Sequence, residues 1–352
     1  MRRPLLQIAL EFVAGDQPTH CDPLDDDELA WGIESGFGPI LDKLFDSSST
    51  IISPAQRARL HAAKLESMVR TDINLNVFYE LLDACTVRSI PVTLLKGIST
   101  CIELYGAPYL RVMRDIDVLV DPQHTEPLTL WLLDSGYVQL SKNPASYYIE
   151  HHHLMPFYNS AADTWVEIHT ALLPARHEYS KSPQFSKKAV KEETVCLEWR
   201  GCRVGVLSRE LQLLYTAAHW AEDFTAVGGL VPIADILLLI TDRAKPVRPE
   251  KLVRWCRDPR NRLPIIVILE FIRRNGLAHD QVMAGSDIYS VPAVSERFRA
   301  YWAHWIIDCF MVRGQGPVGF VLTPDRLDTF WRALLYPSPL FESFKKLFTR
   351  FR

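Results

Sequence analysis

Asp115 and Asp117 stand in the segment Arg114-Asp-Ile-Asp-Val-Leu-Val120. On a strand, residues i and i+2 project from the same face, so the two carboxylates sit side by side and Ile116 turns the other way. Val118, Leu119 and Val120 carry the strand on into an apolar interior. Two acids on one side of a buried strand repel each other and lose their hydration, unless a cation lies between them. Mg²⁺ answers that need: it takes hard oxygen ligands from a few carboxylates and completes its shell with water and substrate phosphates.

Two further stretches point the same way. Upstream, Ile90-Pro-Val-Thr-Leu-Leu95 runs into Lys96-Gly97 and Ile98-Ser99. A glycine between a strand and a helix lets backbone N–H groups approach a phosphate, and Ser99 adds a hydroxyl donor. Downstream, Trp165-Val-Glu-Ile-His169 alternates polar and apolar residues. Glu167 and His169 share a face there, and Glu167 can supply a third carboxylate while His169 supports the acids.

His151-His152-His153 is a separate signal. Read as part of a strand, it puts His151 and His153 on one side. With Glu167 or His169 they could hold zinc for hydrolysis; the other readings are a wall of the acceptor pocket, or histidines bonded within the sheet.

The elements that must position these groups follow from pattern and punctuation. Helices are expected near 38–46, from Ser53-Pro54 to about 70, over about 72–87, over 98–106 and over 126–134. Strands are expected over 90–95, 111–120, 147–158 and 164–172, with a turn at Asn159–Asp163 and a hairpin over 193–206. From Ser208 the pattern is helical: about 208–222, 230–243, 249–257, 263–275 and 294–310. This gives an acidic arm with helices over 1–75, an α+β core over 76–206 (a mixed sheet with helices), and a helical C-terminal domain over 207–352.

The ordered set LLKG (94–97), IELYG (102–106), Arg111, DIDVLV (115–120) and VEIH (166–169) resembles the uncharacterised bacterial nucleotidyltransferase family of the polymerase-beta-like superfamily. The resemblance covers about 90–173 and extends loosely to His219 and Asp235. It implies a two-metal transfer of an NMP group from an NTP such as ATP to a hydroxyl acceptor. Asp115, Asp117 and Glu167 would be the catalytic, metal-holding acids, with Mg²⁺ or Mn²⁺. Lys96, Gly97, Ser99, Arg111 and Arg114 would bind the nucleotide, and His151, His153 and His169 would line the acceptor pocket or support the acids. The acceptor is a small molecule, a peptide or protein, or a tRNA. The chain departs from the superfamily in having Lys96-Gly97-Ile98-Ser99 where many members have Gly-Ser, and Arg114 where many have serine. Alternatives of another class are a non-catalytic nucleotide-binding module and the His-rich zinc hydrolase.

Composition sets the frame. With 352 residues, 48% hydrophobic and 23% charged, the chain is neither disordered nor fibrous, and it has length for about two domains. The net charge of −3 hides an asymmetry: residues 1–50 carry ten acids against three bases, residues 241–352 nineteen bases against eleven acids. The basic third could meet a polyanion or dock on the acidic arm, and within it Arg254, Arg257, Arg260 and Arg262 read as a track for an RNA backbone or as a solvated helix face. Seven scattered cysteines without a CxxC pair argue against a zinc ribbon, although Cys196 and Cys202 could face each other across their hairpin. The opening MRRPLLQIALEFVAG is interrupted by Gln7 and Glu11 and reads as no signal peptide, and no run is long enough for a membrane span. A cytoplasmic location follows as the expectation. The C-terminal FESFKKLFTRFR reads as an amphipathic basic helix for docking on the protein itself, a membrane surface or a partner.

Overall fold

The computed structural model describes residues 3–15, 25–47, 52–149, 151–175, 177–223, 230–275, 294–307 and 335. The C-terminal FESFKKLFTRFR lies outside the described residues, as do Cys21 and Cys309. The chain divides into two compact units, Ala62–Gln212 and Met1–His61 with Leu213–Arg352.

The first unit holds a mixed seven-stranded sheet, and the fold class is α+β as expected. Its strands are β1 (Thr93–Leu94), β2 (Asp115–Leu119), β3 (Val138–Gln139), β4 (Phe157–Asn159), β5 (Thr164–His169), β6 (Thr194–Trp199) and β7 (Cys202–Leu207). They lie in the order β3-β4-β5-β2-β1-β7-β6. The β2–β5 and β1–β7 pairs are parallel and the others antiparallel. One face of β2 and β5 presents Ile116, Val118, Val166 and Ile168, all fully buried in the main apolar core. Alternation then puts Asp115, Asp117, Glu167 and His169 together on the opposite face.

A helix behind this core aligns the strands. It runs unbroken over Pro54–Val87, where the sequence pattern suggested two helices. No proline or glycine interrupts it after Pro54, so nothing in the chain forces a break near residue 71. Its start is a capping box: Gln56 N–H donates to Ser53 Oγ and Ser53 N–H to Gln56 Oε1. Leu75, Phe78, Leu81, Leu82 and Cys85 feed the core. Its polar residues act as fasteners. Ser67 Oγ donates to Tyr109 O, Asn74 Nδ2 to Met113 O, and Thr164 Oγ1 to Asn74 Oδ1. The buried Asn74 thus ties the approach to β2 and the start of β5 to one helix, which fixes their mutual register.

Several strands are shorter than expected. The run 90–95 contributes only Thr93–Leu94 to the sheet, and the helix after it starts at Lys96. The expectation of one strand over 147–158 fails: residues 145–148 form a 3₁₀ turn, 151 and 152 bend, His153 makes an isolated bridge to His169, and a strand starts only at Phe157. The hairpin over 193–206 is present. Arg200 and Gly201, both at positive φ, make its two-residue turn. Cys196 pairs with Gly205 and Cys202 with Trp199, so the two thiols do not face each other, and both are free.

In the other unit, residues 3–47 are helical over Arg3–Ala14, Asp26–Gly32 and Gly38–Ser47, where a single short helix was expected. Leu5, Ile8, Ala9 and Leu10 are buried there, an apolar stripe that the acidic composition obscured. Asp26 and Asp46 pair locally with Arg59 and Arg57. Helices follow at Leu230–Thr241, Pro249–Trp255, Pro259–Arg274 and Val294–Ile307. Two of the four arginines over 254–262 are paired with acids. Arg260 is held by both oxygens of Asp258, and Arg262 by Glu296 at 2.7 Å.

Gly205 on β7 is required by space. A Cβ there would lie 2.6 Å from Thr93 Oγ1, 2.7 Å from Thr194 Cγ2 and 3.2 Å from the Val92 carbonyl oxygen. Threonine is stiff at χ1 and the carbonyl is backbone, so neither yields cheaply. Gly205→Ala is expected to destabilise the protein by about 1–3 kcal/mol, read as a lower denaturant midpoint.

Candidate functional site

The parallel register of β2 and β5 sets Asp117 beside Glu167 and Leu119 beside His169. One ligand atom from each of Asp117, Glu167 and His169 lies within 4.8 Å of the other two. Asp117 is buried to 1% exposure, His169 is fully buried, and Glu167 reaches partly to solvent. Asp115, one alternation nearer the strand's start, is half-buried.

Two donors converge on Asp117 Oδ1: Lys96 Nζ at 2.8 Å and His169 Nε2 at 2.8 Å. The same Lys96 nitrogen lies 3.7 Å from Glu167 Oε2, and His169 Nε2 lies 3.5 Å from it. The placement of Lys96 is a backbone effect. Leu95 N–H donates to Asp117 O, which pins the end of β1 against the acid. Lys96 then opens the helix Lys96–Glu103 at φ +46, a left-handed conformation that costs a non-glycine residue about 1–2 kcal/mol. The strain is concentrated at the residue whose ammonium neutralises the acids.

The electrostatics separate the carboxylates. Burial opposes the ionisation of Asp117, but the Lys96 ammonium and the His169 hydrogen bond outweigh it and hold the carboxyl far below the usual range. Burial works against charge on Glu167 too, yet the His169 bond and Lys96 leave it lowered. Asp115 moves the other way. Burial, then repulsion from Asp117, push it up to about 7. Burial alone would lower His169, but its bonds to Asp117 and Glu167 raise it. Asp117 Oδ2 is buried without a hydrogen-bond partner. A charged oxygen in that condition is costly. A cation shared with Glu167 would satisfy it, and the carboxylate oxygens suit a hard divalent ion; Asp115 is not part of the group whose ligand atoms meet within 4.8 Å.

The nucleotide-side residues divide. Gly97 is buried, and a Cβ on it would lie 3.3 Å from Met113 Cγ and 3.7 Å from Arg111 Nη1, so its smallness admits the Arg111 side chain. Arg111 Nη1 donates to Val112 O. Arg114 is exposed at the mouth of β2. Ser99 faces elsewhere. Its hydroxyl donates to Glu103 Oε1 and accepts from Gln212 Nε2, in a buried network with Arg209, whose Nη1 lies 3.2 Å from Glu103 Oε2.

The histidine run differs most from the sequence reading. The bends at 151 and 152 remove strand alternation, and all three rings converge. His151 lies 4.3 Å from His152 and 4.2 Å from His153, centroid to centroid. His153 bridges His169 across the sheet edge, and its ring lies 5.2 Å from that of His169. Burial pushes both His152 and His153 below the usual imidazole range. Sequence reasoning passed over His152; the 3₁₀ turn at Ala145–Tyr148 that sets up the bend leaves no signal at the histidines themselves.

A family profile described as "Uncharacterised nucleotidyltransferase" matches residues 32–274. Among solved structures, one described as an antigenic nucleotidyltransferase-like protein from Paracoccidioides brasiliensis is similar at 16% identity, with a TM-score of 0.41, over 63% of this chain and 97% of that one. Comparison with curated proteins gives no match.

The raised Asp115 has a consequence for stability. An acid held near 7 when folded, but near 3.9 when unfolded, keeps its proton in the native state, so stability falls as pH rises through that window. Asp115→Asn removes the penalty. In chelator-treated buffer the variant is expected to melt a few degrees above the parent at pH 8 and level with it near pH 4, by scanning calorimetry.

Proposed function

Because the chain belongs to the uncharacterised nucleotidyltransferase family, we propose that it moves an NMP group from an NTP to a hydroxyl acceptor, with Asp115, Asp117 and Glu167 as its working acids. The observation that carries this reading is the partnerless, buried Asp117 Oδ2 beside Glu167. A carboxylate oxygen with no protein donor, in a cluster of acids, suits a cation brought with the substrate.

The catalytic core is taken as residues 76–206. Two divalent ions held by Asp115 and Asp117, one of them shared with Glu167, would supply charge compensation for the triphosphate and a lowered pKa for the acceptor hydroxyl. The protein's own groups do the rest. His169 fixes Asp117 in one rotamer. Lys96 holds the acids' charge in balance, and its partly exposed Nζ can exchange a carboxylate for a phosphate oxygen. Arg111 and Arg114 would meet the triphosphate, with Arg114 presenting a bidentate fork from the surface. The acceptor oxygen attacks the α-phosphorus, the bond from that phosphorus to the β-phosphate oxygen breaks, and pyrophosphate leaves. Glu167 takes the hydroxyl proton. Ser99 is assigned to anchoring its helix through Glu103 and Gln212, not to phosphate.

A second reading, a non-catalytic nucleotide-binding module, is favoured by one observation: Lys96 and His169 already share Asp117 Oδ1. Turnover separates the two. Purified protein is incubated with each α-labelled NTP, Mg²⁺ or Mn²⁺, and a cell extract that supplies small metabolites, proteins and tRNA. The enzyme transfers label and releases pyrophosphate, and Asp117→Asn lowers the rate at least about a hundredfold with an unchanged far-UV spectrum. An equal rate in that variant overturns the assignment. Nucleotide binding without pyrophosphate release supports the module.

A further inference from the structure

Apart from the carboxylate cluster, the described residues hold one other group able to ligate a metal: His151, His152 and His153, with one ring nitrogen of each within 4.8 Å of the other two. In an extended strand three consecutive side chains cannot meet. Here the main chain brings them together. His151 N–H donates to Tyr148 O, Thr170 and Ala171 N–H both donate to His152 O, and Leu154 N–H donates to Ile168 O. Each histidine is therefore flanked by backbone anchored to a neighbouring segment, and the convergence is not left to side-chain rotation.

The nitrogens are disposed as ligands. His153 Nδ1 lies 2.7 Å from the Leu154 carbonyl oxygen, which only accepts. The proton therefore sits on Nδ1, and Nε2 keeps its lone pair. This is how a metal-binding imidazole is usually oriented, its far nitrogen tied to a carbonyl. His152 Nδ1 is buried and makes no hydrogen bond. Tyr147 and Tyr148 close one side of the group, with Tyr147 4.9 Å from His151 and Tyr148 5.7 Å from His153. The three rings pack at 4.2–4.8 Å, and a cation among them would use the ring nitrogens that His152 and His153 turn inward.

We propose that His151, His152 and His153 form a three-nitrogen site for a borderline divalent transition ion of the Zn²⁺ class, separate from the oxygen site at Asp117. Three imidazoles and one open position suit such an ion, and Mg²⁺ has no preference for them. The two sites are chemically orthogonal but mechanically close. His153 pairs with His169, and His169 holds Asp117, so an ion on the histidines stiffens the segment that flanks the acids.

The test uses full-length protein without a polyhistidine tag, stripped with a chelator and titrated with Zn²⁺ by calorimetry and with Co²⁺ by visible absorption. One ion per chain is expected, with the ligand-field bands of nitrogen-ligated cobalt and no thiolate charge-transfer band. Excess Mg²⁺ leaves it in place. His152→Ala, and the double variant His151→Ala/His153→Ala, each weaken Zn²⁺ binding by more than about tenfold, whereas Asp117→Asn binds like the parent. Should the double variant fail to fold by far-UV spectroscopy, His152→Ala alone decides between the outcomes. Binding unchanged in His152→Ala, a cobalt spectrum lost in Asp117→Asn, or no uptake by the parent each overturns the proposal. The transfer assay in Mg²⁺ alone is a separate readout, so failure here and failure of the nucleotidyltransferase reading are told apart.

Discussion

A carboxylate at 1% exposure in the middle of a sheet is the constraint around which this unit is built. Asp117 cannot stay charged there unaided, because lost hydration costs several kcal/mol. Its two side-chain partners arrive by different routes. His169 comes from the adjacent parallel strand, so the β2–β5 register alone sets its distance. Lys96 comes from a turn whose backbone is forced into the left-handed region, and the N–H of Leu95 on Asp117 O ties that turn to the acid it serves. A strained lysine beside a buried acid is tolerated when the surrounding packing over-determines it. Gly97 against Arg111 and Met113, and Asn74 bonded to both Met113 O and Thr164, do so here.

The same constraint explains which parts of the site were legible in the sequence. Asp-Ile-Asp followed by Val-Leu-Val announced a buried strand carrying two same-face acids, because a two-residue period is a local property. Glu167 and His169 were legible for the same reason. That Glu167 aligns with Asp117 is a register fact, decided by the opposing faces of Ile116, Val118, Val166 and Ile168, and no single segment contains it. Lys96 was placed with the phosphates by the family resemblance. Its attachment to Asp117 depends on a positive φ at a non-glycine residue, which sequence pattern disfavours.

Other local patterns meet distant partners that no single segment shows. Ser99 sat where a phosphate-binding hydroxyl belongs, but Glu103, Arg209 and Gln212 need it as a bridge in a buried network, and two of these come from more than 100 residues away. The arginines at 260 and 262 looked like a basic stripe until Asp258 and Glu296 were brought against them. Counting charges along a chain registers composition, whereas pairing is set by packing. The helix Pro54–Val87 erred in the opposite direction. Two helices meeting near residue 71 were expected, but the chain continues, and Ser67 and Asn74 on either side of that point hold the loop before β2.

The histidine run carries this reasoning one step further. Strand alternation set an upper limit of two rings on one side, and the limit fails because the chain bends at 151 and 152 before it joins the sheet at His153. A bend between two tyrosines and a sheet edge is not itself costly. Filling it with three imidazoles is, since neutral rings held at about 4–5 Å offer one another few hydrogen bonds and charged ones would repel. On the acid face Lys96 and His169 partner Asp117 Oδ1 and leave Oδ2 without a hydrogen bond. The histidine group likewise leaves His152 Nδ1 without one. Each cluster thus leaves a buried polar atom without a partner, and the two differ in the ion they suit: carboxylate oxygens a hard one, ring nitrogens a borderline one.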